Sequence, residues 1–249
     1  MKKSTVVFLV ILLVIIIDQA SKIWIKTNMH IGEEFGIFGL DWAKIHFVEN
    51  NGMAFGLELG GSWGKLALSL FRVVAVGFLG YYINLLIRAR ASMGLLVCFA
   101  LIFAGALGNI LDSAFYGLIF SEAYHGVATM FPKEAGYAPF LFGKVVDMLY
   151  FPMFRGTFPE SFPIWGGEPY LFFRPVFNVA DTAITTGVLS LLVFHRSFFS
   201  GEINEEGQQG TSENAANNSI PATNVADLTN DEAEKGITDL TNDDLEVSK

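Results

Sequence analysis

The chain has 249 residues, of which 52% are hydrophobic and 16% are charged. Because a soluble domain carries roughly 25% charged residues, this composition predicts a membrane protein and argues against a soluble globular fold. The formal net charge of −9 comes from residues 201–249, which hold twelve acidic and two basic side chains. The rest of the chain is nearly neutral, so no basic surface for nucleic acid is expected.

The first predicted element is a membrane-spanning helix from about residue 6 to residue 26. Its apolar stretch follows Met1-Lys2-Lys3, an arrangement that also begins a cleaved secretory signal. No small-x-small cleavage site follows, and the sequence runs on into Asp18-Gln19-Ala20-Ser21-Lys22. We therefore favour an uncleaved first helix, in which Asp18 and Lys22 share one face at i, i+4 and can form an ion pair.

Three further apolar runs, at residues 66–87, 95–116 and 175–194, predict the remaining helices. Each is close to the roughly 20 residues that cross about 30 Å of hydrocarbon. Pro175 is expected in the first turn of the fourth helix, with Asp181 about two turns further on. The basic residues at three helix ends predict that both termini are cytoplasmic. These residues are Lys2, Lys3, Arg88, Arg90 and Arg196.

Residues 27–65 and 117–174 are then expected to face outward. In the first segment, residues 35–38 and 45–48 precede Asn50-Asn51-Gly52, which predicts short strands of a small β-sheet. The second segment is rich in aromatic residues, glycine and proline, so we expect an ordered cap on the bilayer surface. It contains Asp147, which on its local sequence alone is as readily an exposed loop carboxylate as an interfacial one.

Residues 201–249 form the last expected unit, a disordered acidic cytoplasmic tail attached to a four-helix membrane domain at residues 1–200. The tail combines low hydrophobicity with high charge, which is typical of disorder. It repeats Asp-Leu-Thr-Asn-Asp at residues 227–231 and 239–243. The repeat is either a docking motif or, as we favour, part of a solvated low-complexity segment.

Polar residues within the helices are the candidates for chemistry, because a charge in a membrane span is costly unless it is paired or faces water. Asn109 and Asp112 in the third run, and Asn178 and Asp181 in the fourth, are spaced i, i+3. Each pair alone is explained by hydrogen bonding between helices. Together, two carboxylates held close share one proton, so that one can deprotonate water while the other polarises a carbonyl.

Other chemistries find little support in the sequence. The one cysteine, Cys98, lies in an apolar run, and no Cys/His cluster has metal-ligand spacing. No serine-hydrolase elbow, zinc-protease helix or phosphate-binding lysine motif occurs. We therefore expect neither a metal nor a cofactor.

Five motifs, taken in order, resemble those of the lipoprotein signal peptidase family (signal peptidase II). They are D-Q-x-x-K at 18–22, N-x-G-x-A-F at 50–55, G-N-x-x-D at 108–112, V-V-D at 145–147 and F-N-x-A-D-x-x-I at 177–184. Each motif alone is of weak or moderate specificity. Their shared order on four predicted spans makes the resemblance strong, and it covers about residues 5–197.

The resemblance implies an all-α membrane protein with four transmembrane helices, a small outward-facing β-sheet and an interfacial cap. It implies an aspartyl endopeptidase that removes the signal peptide of a prolipoprotein just before the diacylglyceryl-modified cysteine. In the family's pattern, Asp147 and Asp181 match the catalytic pair. The positions that match substrate-binding or supporting residues are Asp18, Lys22, Asn50, Gly52, Ala54, Phe55, Gly108, Asn109, Asp112, Asn178 and Ala180.

The implied partners are lipid-modified prolipoproteins and membrane lipid, with no nucleic acid, and the enzyme is expected to be monomeric. The implied location is the bacterial cytoplasmic (inner) membrane, with the active site near its outer face. Ser113 departs from the pattern, because the family usually has arginine after G-N-x-x-D; Arg155 and Arg174 are open candidates for its replacement. The segments 117–147 and 151–174 are also longer than usual.

Two other classes of function also place acidic residues in membrane helices. A proton- or ion-coupled transporter would use Asp18, Asp112 and Asp181 as a relay, but the two halves of the sequence show no repeat of the kind such transporters contain. A structural scaffold would use the polar residues only to join helices, and it would not need Asp147 outside the spans. We therefore favour the peptidase.

Overall fold

The computed structural model describes residues 1–51, 61–172, 175–196 and 198. Its named elements all lie in one unit, Met1–Arg196. The predicted tail at 201–249 lies outside the described residues. So do three residues of the predicted site, namely Gly52, Ala54 and Phe55.

The predicted apolar runs form four helices: α1 (Lys3–Asn28), α2 (Gly61–Arg88), α3 (Met93–Leu111) and α5 (Val179–Phe194). A π-helical turn, Asp112–Tyr116, and a short α4, Gly117–Ile119, continue α3. Within the described residues, three helices are long and apolar enough to span a membrane: α1, α2 and the continuous helix over 93–119. The fourth, α5, is apolar but has 16 residues, which corresponds to about 24 Å.

The fourth helix begins later than the sequence suggested. Pro175 precedes the short strand β6 (Val176–Phe177), so its predicted place in the first helical turn is wrong. Asn178 caps the helix: its side chain accepts from the backbone N–H of Asp181, and the Asp181 side chain accepts from the backbone N–H of Asn178. This reciprocal capping provides hydrogen-bond acceptors for two backbone N–H groups at the start of the helix. A proline has no side-chain acceptor and could not provide them. Asp181 consequently lies in the first turn rather than two turns into the helix.

Four short strands form an antiparallel sheet, in which their order is β1-β2-β3-β6. The strands β1 (Glu34–Gly36) and β2 (Lys44–Asn50) confirm the strands predicted in the segment 27–65. Of the other two, β3 (Val145–Tyr150) lies in the segment 117–174, where no strand was predicted, and β6 lies where the sequence predicted the start of the fourth helix. A separate hairpin pairs β4 (Phe154–Thr157) with β5 (Pro169–Phe172).

The register of the sheet decides what lies beside Asp147. Val48 of β2 pairs with Asp147, and Asn50 lies two residues further along the same face of β2. On the other side, Leu149 pairs with Phe177 of β6. Asn178 follows Phe177 directly, so it reaches β3 next to Asp147.

A buried apolar cluster attaches the sheet to the ends of α1 and α3. Because side chains alternate along a strand, Val146 and Met148 of β3 enter this cluster while Asp147 points to the opposite face. The buried members of the cluster are Ile25, Met29, Phe47, Tyr116, Phe120, Ala123, Ala128, Val146 and Met148. Lys26 of α1, also fully buried, forms an ion pair with Glu49 of β2 and strengthens the same junction.

The π-helical turn at the end of α3 holds the chain that leads into β3. A π-turn leaves carbonyl groups without their usual helical donors. The Ser113 carbonyl accepts from the Gly143 N–H at 2.8 Å, and the Ala114 carbonyl accepts from the Leu141 N–H at 3.4 Å. A Cβ at Gly143 would lie 3.0 Å from the Gly117 nitrogen, so glycine permits this close approach.

Glycines allow α3 to pack closely against both α5 and α1. A Cβ at Gly187 would lie 2.7 Å from the Cys98 carbonyl oxygen, and one at Gly108 would lie 2.7 Å from Asp18 Oδ2. Small residues at such contacts let helices approach closely enough for polar side chains to meet across them. The polar residues of α1, α3 and α5 are thereby brought together at one end of the bundle.

Candidate active site

Asp147 lies in the middle of β3 and is only 4% exposed. Its Oδ1 accepts from Asn178 Nδ2 at 2.7 Å, and its Oδ2 accepts from Asn50 Nδ2 at 3.2 Å. Burial, together with the negative charge of Asp181, raises the pKa of Asp147 to about 7, although the two amide donors oppose this change. Asp147 is therefore a carboxyl group that can be protonated near neutral pH.

Asp181 occupies the first turn of α5 and is partly exposed. Its Oδ1 accepts from Asn109 Nδ2 at 2.8 Å, and its Oδ2 accepts from the backbone N–H of Asn178 at 3.4 Å. The amino end of a helix favours a negative charge. Asp181 therefore lies at the positively polarised end of α5, where its carboxyl group accepts from two N–H donors.

Two side-chain amides join the carboxylates. Asn178 Nδ2 donates to Asp147 Oδ1 and also to Asn109 Oδ1, at 3.1 Å. Asn109 Nδ2 in turn donates to Asp181. The chain of hydrogen bonds thus runs from Asp147 through Asn178 and Asn109 to Asp181, which fixes both carboxyl groups in one small region.

Beneath this pair lies a fully buried ion cluster around Lys22. The Lys22 ammonium lies 2.9 Å from Asp18 Oδ2 and 2.8 Å from Asp112 Oδ2, and it donates to Asn109 Oδ1 at 2.9 Å. An ammonium has three donors, so these three acceptors use all of them. The predicted pairing of Asp18 with Lys22 is present, and it includes Asp112 as well.

The two supporting carboxylates each hold the backbone next to one member of the pair. Asp112 Oδ2 accepts from the backbone N–H of Val146 at 3.4 Å. Asp18 Oδ1 accepts from the backbone N–H of Ala180 at 2.9 Å. Val146 and Ala180 directly precede Asp147 and Asp181, so the ion cluster positions both chain segments that present the pair.

The described residues of the predicted site therefore come together in one place, and Gly108 lies beside Asp18.

The sequence reasoning missed Gln19, although it stands within the first motif. Gln19 Nε2 donates to Asp112 Oδ1 at 2.8 Å and to Asp18 Oδ2 at 3.1 Å, and its Oε1 accepts from the Tyr116 hydroxyl. Its place beside Asp18 on a spanning helix was the available signal.

The structure also describes Ser113, the position where this chain departs from the family pattern. The Ser113 hydroxyl donates to the Asn109 carbonyl at 3.1 Å and is buried, so it satisfies a helix carbonyl. Arg174 lies outside the described residues, as does the Arg155 side chain. Among the residues that the structure describes, no group of three or more His, Cys, Asp or Glu side chains is arranged to hold a metal ion.

The chemistry available to this site is acid–base chemistry. One carboxyl group has a pKa of about 7, and its neighbour lies at a helix N-terminus and accepts from two N–H donors. Such a pair can activate water and protonate a carbonyl oxygen in the same step.

Comparison with known proteins places these motifs in a family. The family model for signal peptidase (SPase) II matches residues 10–198. The lipoprotein signal peptidase of Porphyromonas gingivalis (strain ATCC 33277) is 49% identical over 192 residues, which are 77% of this chain and 83% of that protein. That of Amoebophilus asiaticus is 35% identical over 189 residues, or 75% of each chain.

A solved structure resembles the fold. A bacterial membrane enzyme determined by the in meso method at 2.3 Å resolution aligns with a TM-score of 0.50 at 22% identity. The alignment covers 81% of this chain and 93% of the other. The fold of this chain is thus similar to that of a known bacterial membrane enzyme.

Proposed function

The chain belongs to the signal peptidase II family, and from that premise we propose that it is an aspartyl endopeptidase of lipoprotein maturation. It removes the signal peptide from prolipoproteins by cleaving just before the diacylglyceryl-modified cysteine. The observation that carries this proposal is the amide-bridged pair of Asp147 and Asp181, one partner buried in the sheet and the other at a helix N-terminus.

The proposed reaction uses the pair as base and acid. The ionised Asp181 removes a proton from water while the water oxygen attacks the scissile carbonyl carbon, and Asp147 gives its proton to the carbonyl oxygen. In the second step, Asp181 returns its proton to the leaving nitrogen and Asp147 takes a proton from the tetrahedral intermediate as the C–N bond breaks. Both carboxyl groups end in their starting states.

The supporting residues fit this assignment. Asn178 and Asn109 orient both carboxyl groups, while Asp18, Asp112 and Lys22 hold the backbone segments that carry them. We assign them positioning roles. We keep Asn50, Gly108 and Ala180 as residues that shape the substrate site, together with Gly52, Ala54 and Phe55.

We further propose that all four helices cross the bacterial inner membrane, with both termini cytoplasmic and the site near the outer face. Lys3 Nζ donates to the Arg90 and Ala91 carbonyl groups at 2.8 and 2.6 Å. The basic residues of the α1 start and the α2–α3 loop therefore share one end, which supports a cytoplasmic location. The acidic pair lies where α3 ends and α5 begins, at the other end.

A site at the membrane boundary suits a lipid-modified substrate that arrives sideways from the bilayer. Each buried CH₂ of an acyl chain contributes about 0.8 kcal/mol, so the diacylglyceryl group can hold the substrate with few polar contacts. The proposed partners are accordingly lipid-modified prolipoproteins and membrane lipid, acted on by a monomer. For residues 201–249 we retain the proposal of a disordered acidic tail.

The test is cleavage of a lipidated prolipoprotein by the purified, reconstituted protein. Asp147→Asn and Asp181→Asn are each expected to lose cleavage while remaining folded. Asp41→Asn, an exposed aspartate of the loop between β1 and β2, serves as the matched control and is expected to cleave normally. Near-normal cleavage by either Asp147→Asn or Asp181→Asn contradicts the proposed dyad.

The same assay with an unlipidated precursor tests the substrate class. We expect cleavage to fall strongly, because the acyl chains supply most of the proposed binding. Equal processing of the lipidated and unlipidated precursors would show that the lipid plays no part in recognition.

A further inference from the structure

The charges described so far in the site do not balance. Four carboxyl groups, those of Asp18, Asp112, Asp147 and Asp181, surround the single ammonium of Lys22. Even if Asp147 and Asp181 share one proton, three negative charges face one positive charge. An uncompensated buried charge is strongly destabilising, so a second cation is needed near the pair.

One face of α2 points toward the segments that carry Asp147. Lys65, Ser69 and Arg72 are spaced i, i+4 and i+7, so they lie along one face of that helix. The Ser69 hydroxyl donates to the Leu141 carbonyl at 3.1 Å, in the chain that leads into β3. Lys65 Nζ lies 3.2 Å from Asn51 Oδ1, next to the residue that bonds Asp147.

Arg72 lies on this face and is partly buried. Because Ser69 on the same face bonds the chain that leads into β3, Arg72 is placed toward the carboxylates of Asp181, Asp147 and Asp112, whose negative charges act on its guanidinium. An arginine in the middle of a spanning helix requires a reason. Since guanidinium remains charged at any accessible pH, Arg72 supplies a permanent positive charge at the carboxylate cluster.

We propose that Arg72 is a positioning residue for the proposed peptidase reaction, which keeps the Asp147–Asp181 pair singly ionised and ready to deprotonate water. This inference rests on the proposed function. The charged groups that face the pair are Asp18 and Lys22 from α1, Asp112 from the end of α3, and Arg72 with Lys65 from α2. Lys22 is fully committed to its three acceptors, and within the part of the chain that the structure describes Arg72 is a second cation that acts on Asp181.

The measurable consequence is a change in pH dependence rather than in substrate binding. Without the positive charge, the fully protonated pair loses its first proton less readily, so more alkaline conditions are needed to form the singly ionised pair that acts as the base. A nearby opposite charge typically changes the pKa of a carboxyl group by about one unit or more. Removing Arg72 is therefore expected to move the acid limb of the kcat profile upward by about one pH unit, with KM little changed.

The experiment compares Arg72→Met and Arg72→Lys with the unaltered protein, using the lipidated prolipoprotein and a series of pH values. Arg72→Lys keeps the charge and is expected to return the profile most of the way to that of the unaltered protein. Arg88→Met, in the last turn of the same helix, is the matched control and should leave the profile unchanged. Thermal unfolding of each variant in detergent establishes that it is folded.

Several results would overturn the proposal. They are an unmoved acid limb in Arg72→Met, a change confined to KM, or a lysine variant as displaced as the methionine variant. Arg72→Gln replaces Arg72→Met if the latter does not fold. If neither neutral variant folds, Arg72→Lys decides: an unshifted profile supports the proposal and a displaced one ends it.

The outcome can be separated from that of the proposed function. If Asp147→Asn and Asp181→Asn are inactive but the acid limb of Arg72→Met is unmoved, only the role of Arg72 is refuted. If either aspartate variant cleaves normally, the proposed dyad itself is refuted, whatever Arg72 does.

Discussion

Asp147→Asn is expected to make the protein more stable at alkaline pH while it removes cleavage. The pKa of Asp147 is raised from 3.8 to about 7, first by burial and then by the charge of Asp181. Between these values the folded state binds a proton that the unfolded state has released. Because stability rises with pH only where the unfolded state binds more protons, the stability contribution of Asp147 falls as pH increases through this window.

The size of the effect follows from the same two values. A difference from 3.8 to about 7 corresponds to on the order of 4 kcal/mol, since each pKa unit is about 1.4 kcal/mol. The asparagine keeps an oxygen to accept from Asn178, but its own amide faces the Asn50 donor. This buried mismatch costs about 1–3 kcal/mol, so the net gain above pH 7 is on the order of 2 kcal/mol.

The assay is thermal unfolding in detergent, followed by tryptophan fluorescence, at several values between about pH 5 and 8. Asp147→Asn is expected to unfold at a higher temperature than the unaltered protein at pH 8, and the gap is expected to close toward pH 5. Asp41→Asn should show no such pH-dependent gap. A gap between Asp147→Asn and the unaltered protein that is constant across pH, or that widens toward acid pH, would refute the reasoning.

Two further predictions concern the support of the site. Lys22→Met leaves Asp18 and Asp112 buried without their cation, so we expect a loss of about 3–5 kcal/mol in stability; lost turnover with unchanged thermal unfolding would contradict a positioning role. Gly108→Ala places a methyl carbon 2.7 Å from Asp18 Oδ2, so it should destabilise by about 1–3 kcal/mol. Gly77→Ala, whose added Cβ meets nothing within 4 Å, is its control in the same unfolding measurement.

The helices could be predicted from the sequence because apolarity is a local property of each segment. A span needs a continuous apolar run, and its backbone satisfies its own hydrogen bonds. The runs at 6–26, 66–87 and 95–116 therefore lie within α1, α2 and the helix over 93–119. The alternation at 45–48 was likewise enough to predict β2.

The start of the fourth helix shows where local signals compete. Both Pro175 and Asn178 are suitable near a helix N-terminus, and the sequence does not rank them. The pairing of Phe177 with Leu149 decides between them, because it draws residues 176–177 into the sheet. Asn178 is then left to cap α5 and to meet Asp147.

The carboxylate pair was the part that depended on resemblance and on tertiary structure. Burial cost within a span singled out Asp18, Asp112 and Asp181, but it gave no reason to choose Asp147. Asp147 lies next to Asn50 because β2 and β3 pair across nearly a hundred residues of sequence. The hydrogen bond from Ala180 to Asp18 joins residues 162 apart.

The sequence by itself determined that the chain enters a membrane, which acids its helices bury, and which family pattern these acids match. Only the tertiary structure decided which acid lies beside which. Hydrophobic periodicity depends on residues within one segment. Contacts between distant segments decide the rest: the sheet register, the close approach at the glycines of α3 and the hydrogen bonds through Asn178. For that reason the aspartates were visible as single residues, and their pairing through Asn178 and Asn109 became visible only in the folded protein.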